Sequence, residues 1–260
     1  MARSGSSDQT PADDPNSYRD LSRRPLQSLF FLLPLVLVYE AALPIFGTDQ
    51  LQRVEHDIYA RRILDQLFEY FGVTGVYLPG VIVLVVLLSW HVVSRDRWRF
   101  EPRIYGWMWV ESLGLALPLF VLMLVLFGQP ASQWALMQAT DYVAVTWQAQ
   151  LVFSIGAGIY EELLFRLFAI ALIHLVLVDM LAMPQWIGAT SAVTVSALAF
   201  ALYHFGVGNP FDWIKCLFFT VAGVYFAAVY LLRGFGIAAG CHALYDVMVV
   251  AMSMTQGIGR

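Results

Sequence analysis

The sequence predicts an all-α polytopic membrane protein, with about seven transmembrane helices and one further amphipathic helix at the membrane surface. Three observations support this prediction. Apolar residues make up 59% of the 260 residues and charged residues only 13%, whereas soluble proteins average about 45–50% and about 25%. The mean hydropathy is +0.67. The apolar residues also gather into runs long enough to cross a bilayer as helices.

The predicted spans are seven apolar runs. A helix satisfies its own backbone hydrogen bonds, as the bilayer interior requires, and about 20 residues cross the hydrocarbon layer. The longest run exceeds one crossing, so its helix is expected to tilt or break, and no strand is needed anywhere. The runs are residues 26–46, 75–93, 107–127, 147–178, 186–204, 213–232 and 234–254.

Residues 51–70 mix charged and apolar side chains with a helical spacing, which predicts an amphipathic helix lying at the membrane surface. Arg19, Arg23 and Arg24 precede the first run, whereas the loop at 128–146 has no basic residue. This asymmetry predicts a cytosolic amino terminus. Short loops and the use of Arg over Lys favour a bacterial inner membrane. Membrane lipid is the expected partner. Nucleic acid is not, because the scattered basic residues form no stripe along a phosphate backbone.

Ionisable side chains interrupt three of the last four runs. Each costs about 2.5–3.5 kcal/mol near the bilayer centre, so each requires a partner or a function. Residues four apart share a helix face. This spacing predicts an ion pair between Glu162 and Arg166. It also predicts a contact between His242 and Asp246. Glu161 is rotated by about 100° around the helix from Glu162, so it needs a partner from another helix. The residues are Glu161, Glu162, Arg166, His204, His242 and Asp246.

If Glu161, His204, His242 and Asp246 point into one pocket, two imidazoles and two carboxylates can hold and deprotonate a water molecule. These groups also have structural interpretations. The Glu162–Arg166 pair can simply neutralise an arginine in lipid, and the His–Asp pair can be a helix-packing hydrogen bond. Two acids in earlier runs, and two tyrosines beside the histidines, have no assigned chemistry: Glu40, Glu111, Tyr203 and Tyr245.

Three motifs occur in a fixed order on three apolar segments. They are Glu-Glu-x-x-x-Arg at 161–166, Phe-x-x-x-His at 200–204 and His-x-x-x-Asp at 242–246. This arrangement resembles the CPBP family of intramembrane proteases, which contains the type II CAAX prenyl endopeptidases and bacterial relatives tied to bacteriocin maturation or self-immunity. The resemblance implies a helical membrane enzyme that hydrolyses a peptide bond within or near the bilayer. Its substrate would be a membrane-associated or lipidated peptide.

The resemblance also implies residue roles. Glu161 and His204 would activate the water, His242 and Asp246 would face the carbonyl oxygen, and Glu162 with Arg166 would hold the site together. The eukaryotic CAAX enzymes usually carry Asn where this chain has Asp246. Because an ionised Asp cannot donate a hydrogen bond, Asp246 is protonated or instead orients His242.

Composition predicts a polar disordered tail at 1–25, the apolar runs predict accessory helices with the interfacial helix at 26–147, and the resemblance implies a catalytic helical core at 148–254. No cofactor is expected. A metalloprotease variant would bind Zn²⁺ through Glu161, His204 and His242, although the H-E-x-x-H motif is absent. The alternative function is a noncatalytic immunity or scaffold protein, or a small transporter that uses the buried acids.

Overall fold

The computed structural model describes residues 17–46, 48–49, 54–55, 58–75, 77–128, 146–205 and 210–255. Across these ranges the chain is an all-α polytopic membrane protein, as predicted. The helices are α1 (Tyr18–Ser22), α2 (Pro25–Phe46), α3 (Tyr59–Glu69), α4 (Leu78–Ser94), α5 (Pro102–Phe127), α6 (Trp147–Met180), α7 (Gln185–Tyr203), α8 (Trp213–Arg233) and α9 (Phe235–Thr255).

Six helices of the described chain, α2 and α5 to α9, are long and apolar enough to cross a membrane. The remaining apolar run forms α4, which has 17 residues. At 1.5 Å per residue α4 is about 25 Å long, somewhat shorter than a hydrocarbon layer of about 30 Å. The prediction of about seven spans therefore corresponds to six full-length helices and this shorter one.

The predicted disordered tail, residues 1–25, extends too far. The structure has the helix α1 inside this range, with the Ser17 hydroxyl accepting from the backbone N–H of Asp20 at its amino end. Tyr18 fixes α1 to the bundle, because its hydroxyl donates to the Glu111 carboxylate at 2.5 Å. Polar composition alone could not reveal this long-range contact. Residues 1–16 of the predicted tail lie outside the described residues.

The predicted amphipathic helix at 51–70 begins later than expected. The structure has α3 starting at Tyr59, and before it two short strands, β1 (Thr48–Asp49) and β2 (Val54–Glu55), pair in antiparallel register where no strand was predicted. The amino end of α3 has no side-chain cap, so the sequence carries no capping signal for its start. Residues 50–53 and 56–57 lie outside the described residues.

Helix α9 lies at the centre of the bundle. Buried residues make up 72% of its apolar stretch, compared with 22–39% in the other spans. Its small residues let neighbouring helices approach closely, as is common where membrane helices pack. The Gly236 N–H donates to the Ser28 hydroxyl of α2 at 3.1 Å. A Cβ atom built on Gly158 of α6 would lie 2.6 Å from both Cβ and the backbone nitrogen of Ala243.

Helix α6 runs for 34 residues without a break. It is α-helical through Glu162 and then changes to π-helical winding at Leu163–Ile170 and again at Leu175–Met180. Widened turns of this kind are frequent at functional sites. The Ser196 hydroxyl of α7 donates to the Phe165 carbonyl inside the first π-helical segment at 2.6 Å, which attaches α7 to α6 next to the two glutamates.

The close packing of α6 on α9 can be tested with Gly158→Ala. The added methyl group would overlap the backbone of α9, so we expect a loss of about 2 kcal/mol in the free energy of unfolding and a lower melting temperature in detergent. Gly114→Ala in α5 is the matched control, because no atom lies within 4 Å of its Cβ position. The control should be neutral or slightly stabilising. Equal melting temperatures for the two variants would contradict the packing described here.

Candidate active site

Six ionisable residues from α6, from the end of α7 and from α9 converge on one site. Glu161 and Glu162 are the last two residues of α6 before its first π-helical segment, and His204 directly follows α7. His242 lies seven residues after the start of α9, or about 10 Å along its axis. The site is therefore built from residues of three separate apolar helices.

Glu161 is the centre of this arrangement. Its Oε2 atom lies 3.9 Å from Nε2 of His204 and 3.8 Å from Nε2 of His242. Both distances exceed that of a direct hydrogen bond. Glu161 Oε2 accepts no hydrogen bond from any residue that the structure describes. One carboxylate oxygen thus faces two imidazoles, each from a different helix.

The orientation of the His204 ring is fixed by a hydrogen bond at its edge and by an aromatic ring stacked on its face. Its Nδ1–H donates to the Phe200 carbonyl one turn earlier at 2.7 Å, because a carbonyl oxygen can only accept. The Phe219 ring of α8 stacks on the imidazole with centroids 4.0 Å apart. In the neutral tautomer, Nε2 therefore presents its lone pair toward Glu161.

His242 contacts three carboxylates. Its Nδ1–H donates to Glu162 at 2.8 Å, and Nε2 lies 3.5 Å from Asp246 and 3.8 Å from Glu161. The Phe226 ring of α8 stacks on the imidazole, with centroids 4.4 Å apart. The four-residue spacing correctly indicated the contact with Asp246. The contact with Glu162 has no sequence signal, because it joins residues 80 positions apart.

Arg166 is the positive charge of the site. Its Nε lies 3.2 Å from Glu162, and its side chain is fully buried. The guanidinium also donates to the Gly223 carbonyl of α8 at 3.3 Å and lies 4.3 Å from the centre of the Phe200 ring. The ion pair along α6 was predicted. Its extension to α8 and to an aromatic ring depends on the tertiary structure.

The site holds more acids than permanent cations. Three carboxylates, those of Glu161, Glu162 and Asp246, face one guanidinium and two imidazoles. In an apolar layer an unbalanced charge is costly, so additional protons must be shared among the acids and the imidazoles. This composition suits a site that accepts and returns protons during a reaction.

Metal ligation was the variant predicted for Glu161, His204 and His242. Within the described ranges, no three His, Cys, Asp or Glu side chains are arranged as a metal site. The three side chains do meet, but through carboxylate-to-imidazole distances of 3.8 and 3.9 Å. The arrangement as it stands is that of one carboxylate with two flanking imidazoles.

Two acids without an evident partner in the sequence have partners in the structure. Glu40 accepts from the Tyr160 hydroxyl at 2.6 Å and lies 3.7 Å from Arg61 of α3. Glu111 forms an ion pair with Arg233 and accepts from the Tyr18 hydroxyl. Burial and the neighbouring Glu111 raise the pKa of the Tyr18 hydroxyl above its usual value, so it remains a donor at neutral pH.

The two tyrosines beside the histidines differ in their contacts. The Tyr203 hydroxyl accepts from the backbone N–H of Ala60 at 2.8 Å. The Tyr245 hydroxyl is buried without a hydrogen-bond partner in the described part of the chain. Sequence reasoning did not assign the contact of Tyr203 with Ala60, because adjacency to a histidine does not reveal which helix lies opposite.

A comparison with protein-family models gives a match over residues 143–248 to the model described as Rce1-like, type II CAAX prenyl endopeptidase Rce1-like. The match contains Glu161, His204, His242 and Asp246. This segment belongs to the CPBP family of intramembrane proteases. Neither the curated proteins nor the solved structures give a match. The CPBP segment covers α6, α7, α8 and most of α9, whereas α1 to α5 lie outside it.

The role of Arg166 in the CPBP segment can be tested with Arg166→Met. This change keeps the side-chain volume but leaves Glu162 without its cation, so we expect a loss of about 3 kcal/mol in the free energy of unfolding. Arg62→Met on the exposed face of α3 is the control and should change it by less than about 0.5 kcal/mol. Thermal unfolding in detergent measures both. A stable Arg166→Met protein would mean that Glu162 does not depend on this ion pair.

Proposed function

We propose that the chain is an intramembrane endopeptidase that hydrolyses a peptide bond in a membrane-associated substrate, with a water molecule activated by Glu161. The family match supports protease activity at the level of the CPBP family. The observation that supports the mechanism is the position of Glu161 Oε2, which faces Nε2 of both His204 and His242. Glutamate-type activation of water is the chemistry that this arrangement supports best.

The proposed reaction begins with water held between Glu161 and His204. Glu161 removes a proton from the water, and the water oxygen forms a bond to the carbonyl carbon of the substrate. The carbonyl electrons move to its oxygen, giving a tetrahedral intermediate. When the intermediate collapses, the carbon–nitrogen bond breaks and the amine leaves with the proton carried by Glu161. The base thereby returns to its starting state.

His242 is the proposed donor to the developing oxyanion. Its Nδ1–H bond to Glu162 fixes the ring. In the proposed imidazolium form both ring nitrogens are donors, and the Nε2–H points to the side where Glu161 and Asp246 lie. Donors held in place before the reaction stabilise an oxyanion without reorganisation, and one such donor is worth about 10²–10³ in kcat. Asp246 is either protonated and itself a donor to the oxyanion, or it orients the ring of His242; these are the two roles left open by the sequence.

The proposed substrate is a peptide tethered to the membrane, with a lipidated tail as one form. The site is enclosed by apolar and aromatic walls that include Phe200, Phe219 and Phe226. A peptide bond must therefore enter from the bilayer or from its surface. Membrane lipid is the expected surrounding partner.

We propose a cytosolic amino terminus, in a bacterial inner membrane. The Arg23 guanidinium donates to the Leu231 carbonyl, and Gln27 donates to the Arg99 carbonyl, so these segments meet at one end of the bundle. The positive-inside rule assigns the more basic end to the cytosol. Among the described residues, Arg61, Arg62 and Lys215 belong to the opposite end, whereas this end holds Arg19, Arg23, Arg24, Arg95, Arg97, Arg99, Arg103 and Arg233.

The catalytic proposal is tested with Glu161→Gln in protein reconstituted into liposomes. The probes are a fluorogenic peptide carrying a carboxy-terminal farnesylcysteine methyl ester and the same peptide on a transmembrane anchor. Because an amide cannot take up the water proton, we expect cleavage to fall by at least about 10³-fold with an unchanged melting temperature. Glu69→Gln at the exposed end of α3 is the control. Cleavage by Glu161→Gln at the wild-type rate would refute the assignment and favour the noncatalytic alternative.

Metal dependence is tested on the active wild-type protein. We propose that the reaction needs no metal, because the carboxylate and the imidazoles already supply a base and a donor. We therefore expect cleavage to persist after treatment with phenanthroline or EDTA, and metal analysis to give less than one Zn²⁺ per chain. If chelation abolishes cleavage and Zn²⁺ restores it, the metalloprotease variant through Glu161, His204 and His242 takes the place of this proposal.

A further inference from the structure

The segment between α4 and α5 carries charged and aromatic side chains that the proposed reaction does not use. Residues 95–103 hold four arginines, two acids and two aromatic residues, and we call this segment the basic linker. The four arginines and the two aromatic residues are exposed, whereas both acids are partly buried. The arginines are Arg95, Arg97, Arg99 and Arg103, and the aromatic residues are Trp98 and Phe100.

One buried side chain fixes the backbone of the basic linker. The Gln27 side chain of α2 donates from its nitrogen to the Arg99 carbonyl at 2.7 Å, and its oxygen accepts from the Tyr105 hydroxyl of α5 at 2.7 Å. Gln27 is 1% exposed, and a buried amide needs partners for both of its groups. The linker is therefore attached to α2 at its centre, and its arginine side chains project from a backbone that is held in place.

The two aromatic side chains of the linker each contact the bundle and still remain largely exposed. The Trp98 ring packs edge-on against His91 of α4 with centroids 4.4 Å apart, and the Phe100 ring lies 5.0 Å from that of Phe30 of α2. Trp98 is 66% exposed and Phe100 is 59% exposed. Tryptophan is enriched at the level of the lipid headgroups in membrane proteins, so an exposed Trp98 indicates that the linker lies at this level.

The length of α4 also places the linker near the headgroups. Its 17 residues end at Ser94 and span about 25 Å, less than the hydrocarbon layer of about 30 Å. A span this short is accommodated by local thinning of the bilayer or by flanking side chains that extend toward the interface. Arginine suits this position, because its apolar stem can lie along lipid while the guanidinium group reaches the headgroups.

Three of the four arginines of the linker have no acidic partner. Arg99 lies 3.7 Å from Glu101. Arg95, Arg97 and Arg103 form no ion pair with any residue that the structure describes. The guanidinium group binds phosphate through paired hydrogen bonds, and three such groups are available here to an anion from outside the chain.

We propose that the basic linker binds the headgroups of anionic phospholipids. The unpaired guanidinium groups attract phosphate, and the exposed Trp98 and the short α4 place them at the level where lipid phosphates lie. A soluble anion would need the charges alone, whereas a lipid also contacts the exposed aromatic rings. This lipid preference goes beyond the proposed function and does not depend on cleavage.

The preference is tested on the full-length protein in detergent, after bound lipid has been removed. The protein is titrated with phosphatidylglycerol or with phosphatidylcholine of the same chain length, and native mass spectrometry measures the lipid bound to each chain. We expect phosphatidylglycerol to bind at least about 10-fold more tightly, because only its headgroup carries a net negative charge. Equal affinity for the two lipids would overturn the proposal.

The part played by the linker is tested with Arg97→Gln combined with Arg103→Gln. Loss of two guanidinium groups should weaken the binding of phosphatidylglycerol by about 10-fold to 30-fold and leave that of phosphatidylcholine unchanged. The matched control is Arg62→Gln combined with Lys215→Gln, which removes the same charge at the opposite end of the bundle and should keep the wild-type affinity. An equal loss in the control would mean that net charge attracts the lipid and the linker does not, and would overturn the proposal.

A competition experiment separates lipid from soluble anions. If inorganic phosphate displaces phosphatidylglycerol more strongly than chloride does at the same ionic strength, the linker is a site for soluble phosphate and the lipid assignment is wrong. Both combined variants should melt at the wild-type temperature without lipid. Should the linker variant not fold, Arg97→Gln and Arg103→Gln are measured singly, and wild-type affinity in both would overturn the proposal. None of these measurements requires cleavage, so the result with Glu161→Gln does not affect them.

Discussion

The contact on which the site depends is the fully buried carboxylate of Glu162, which lies 3.2 Å from Arg166 and 2.8 Å from His242. A charge inside an apolar layer must be paired and hydrogen-bonded, and removing one partner leaves the other uncompensated. Glu162 therefore ties α6 to α9, and Arg166 extends the connection to the Gly223 carbonyl of α8. The polar groups of three helices are held in one arrangement by a single acid.

The contact between Glu162 and His242 can form because the helices that carry them pack closely. The interface of α6 and α9 is closed at Gly158, where no Cβ can be accommodated. At Gly223, a Cβ atom would lie 2.8 Å from the Ala197 backbone of α7, so α7 and α8 approach equally closely. Small residues of this kind replace the hydrophobic driving force that membrane helices lack. They set the distances at which Glu161 faces the imidazoles of His204 and His242.

The amino-terminal helices take part in the same organisation. Glu40 and Glu111, which had no role in the sequence, each neutralise an arginine, Arg61 and Arg233 respectively. The first pair lies against α6 beside the site, and the second attaches α1 and α5 to the end of α8. In the described part of the chain, charge pairs at the site, at Glu40 and at Glu111 thus join helices that are distant in sequence. The first two are buried, and the Glu111–Arg233 pair is partly exposed.

The sequence by itself determined the fold class, the approximate spans and the three motifs, because apolar runs and four-residue spacings are local properties. It also indicated the ion pair within α6 and the His–Asp contact within α9. The sequence did not predict the start of α3, the helix α1, the contact of Glu162 with His242, or the partners of Glu40 and Glu111. Each of these depends on which helices pack together and at what rotation. Only the tertiary structure decides that, because a helix pattern specifies which face is polar and not which neighbour it meets.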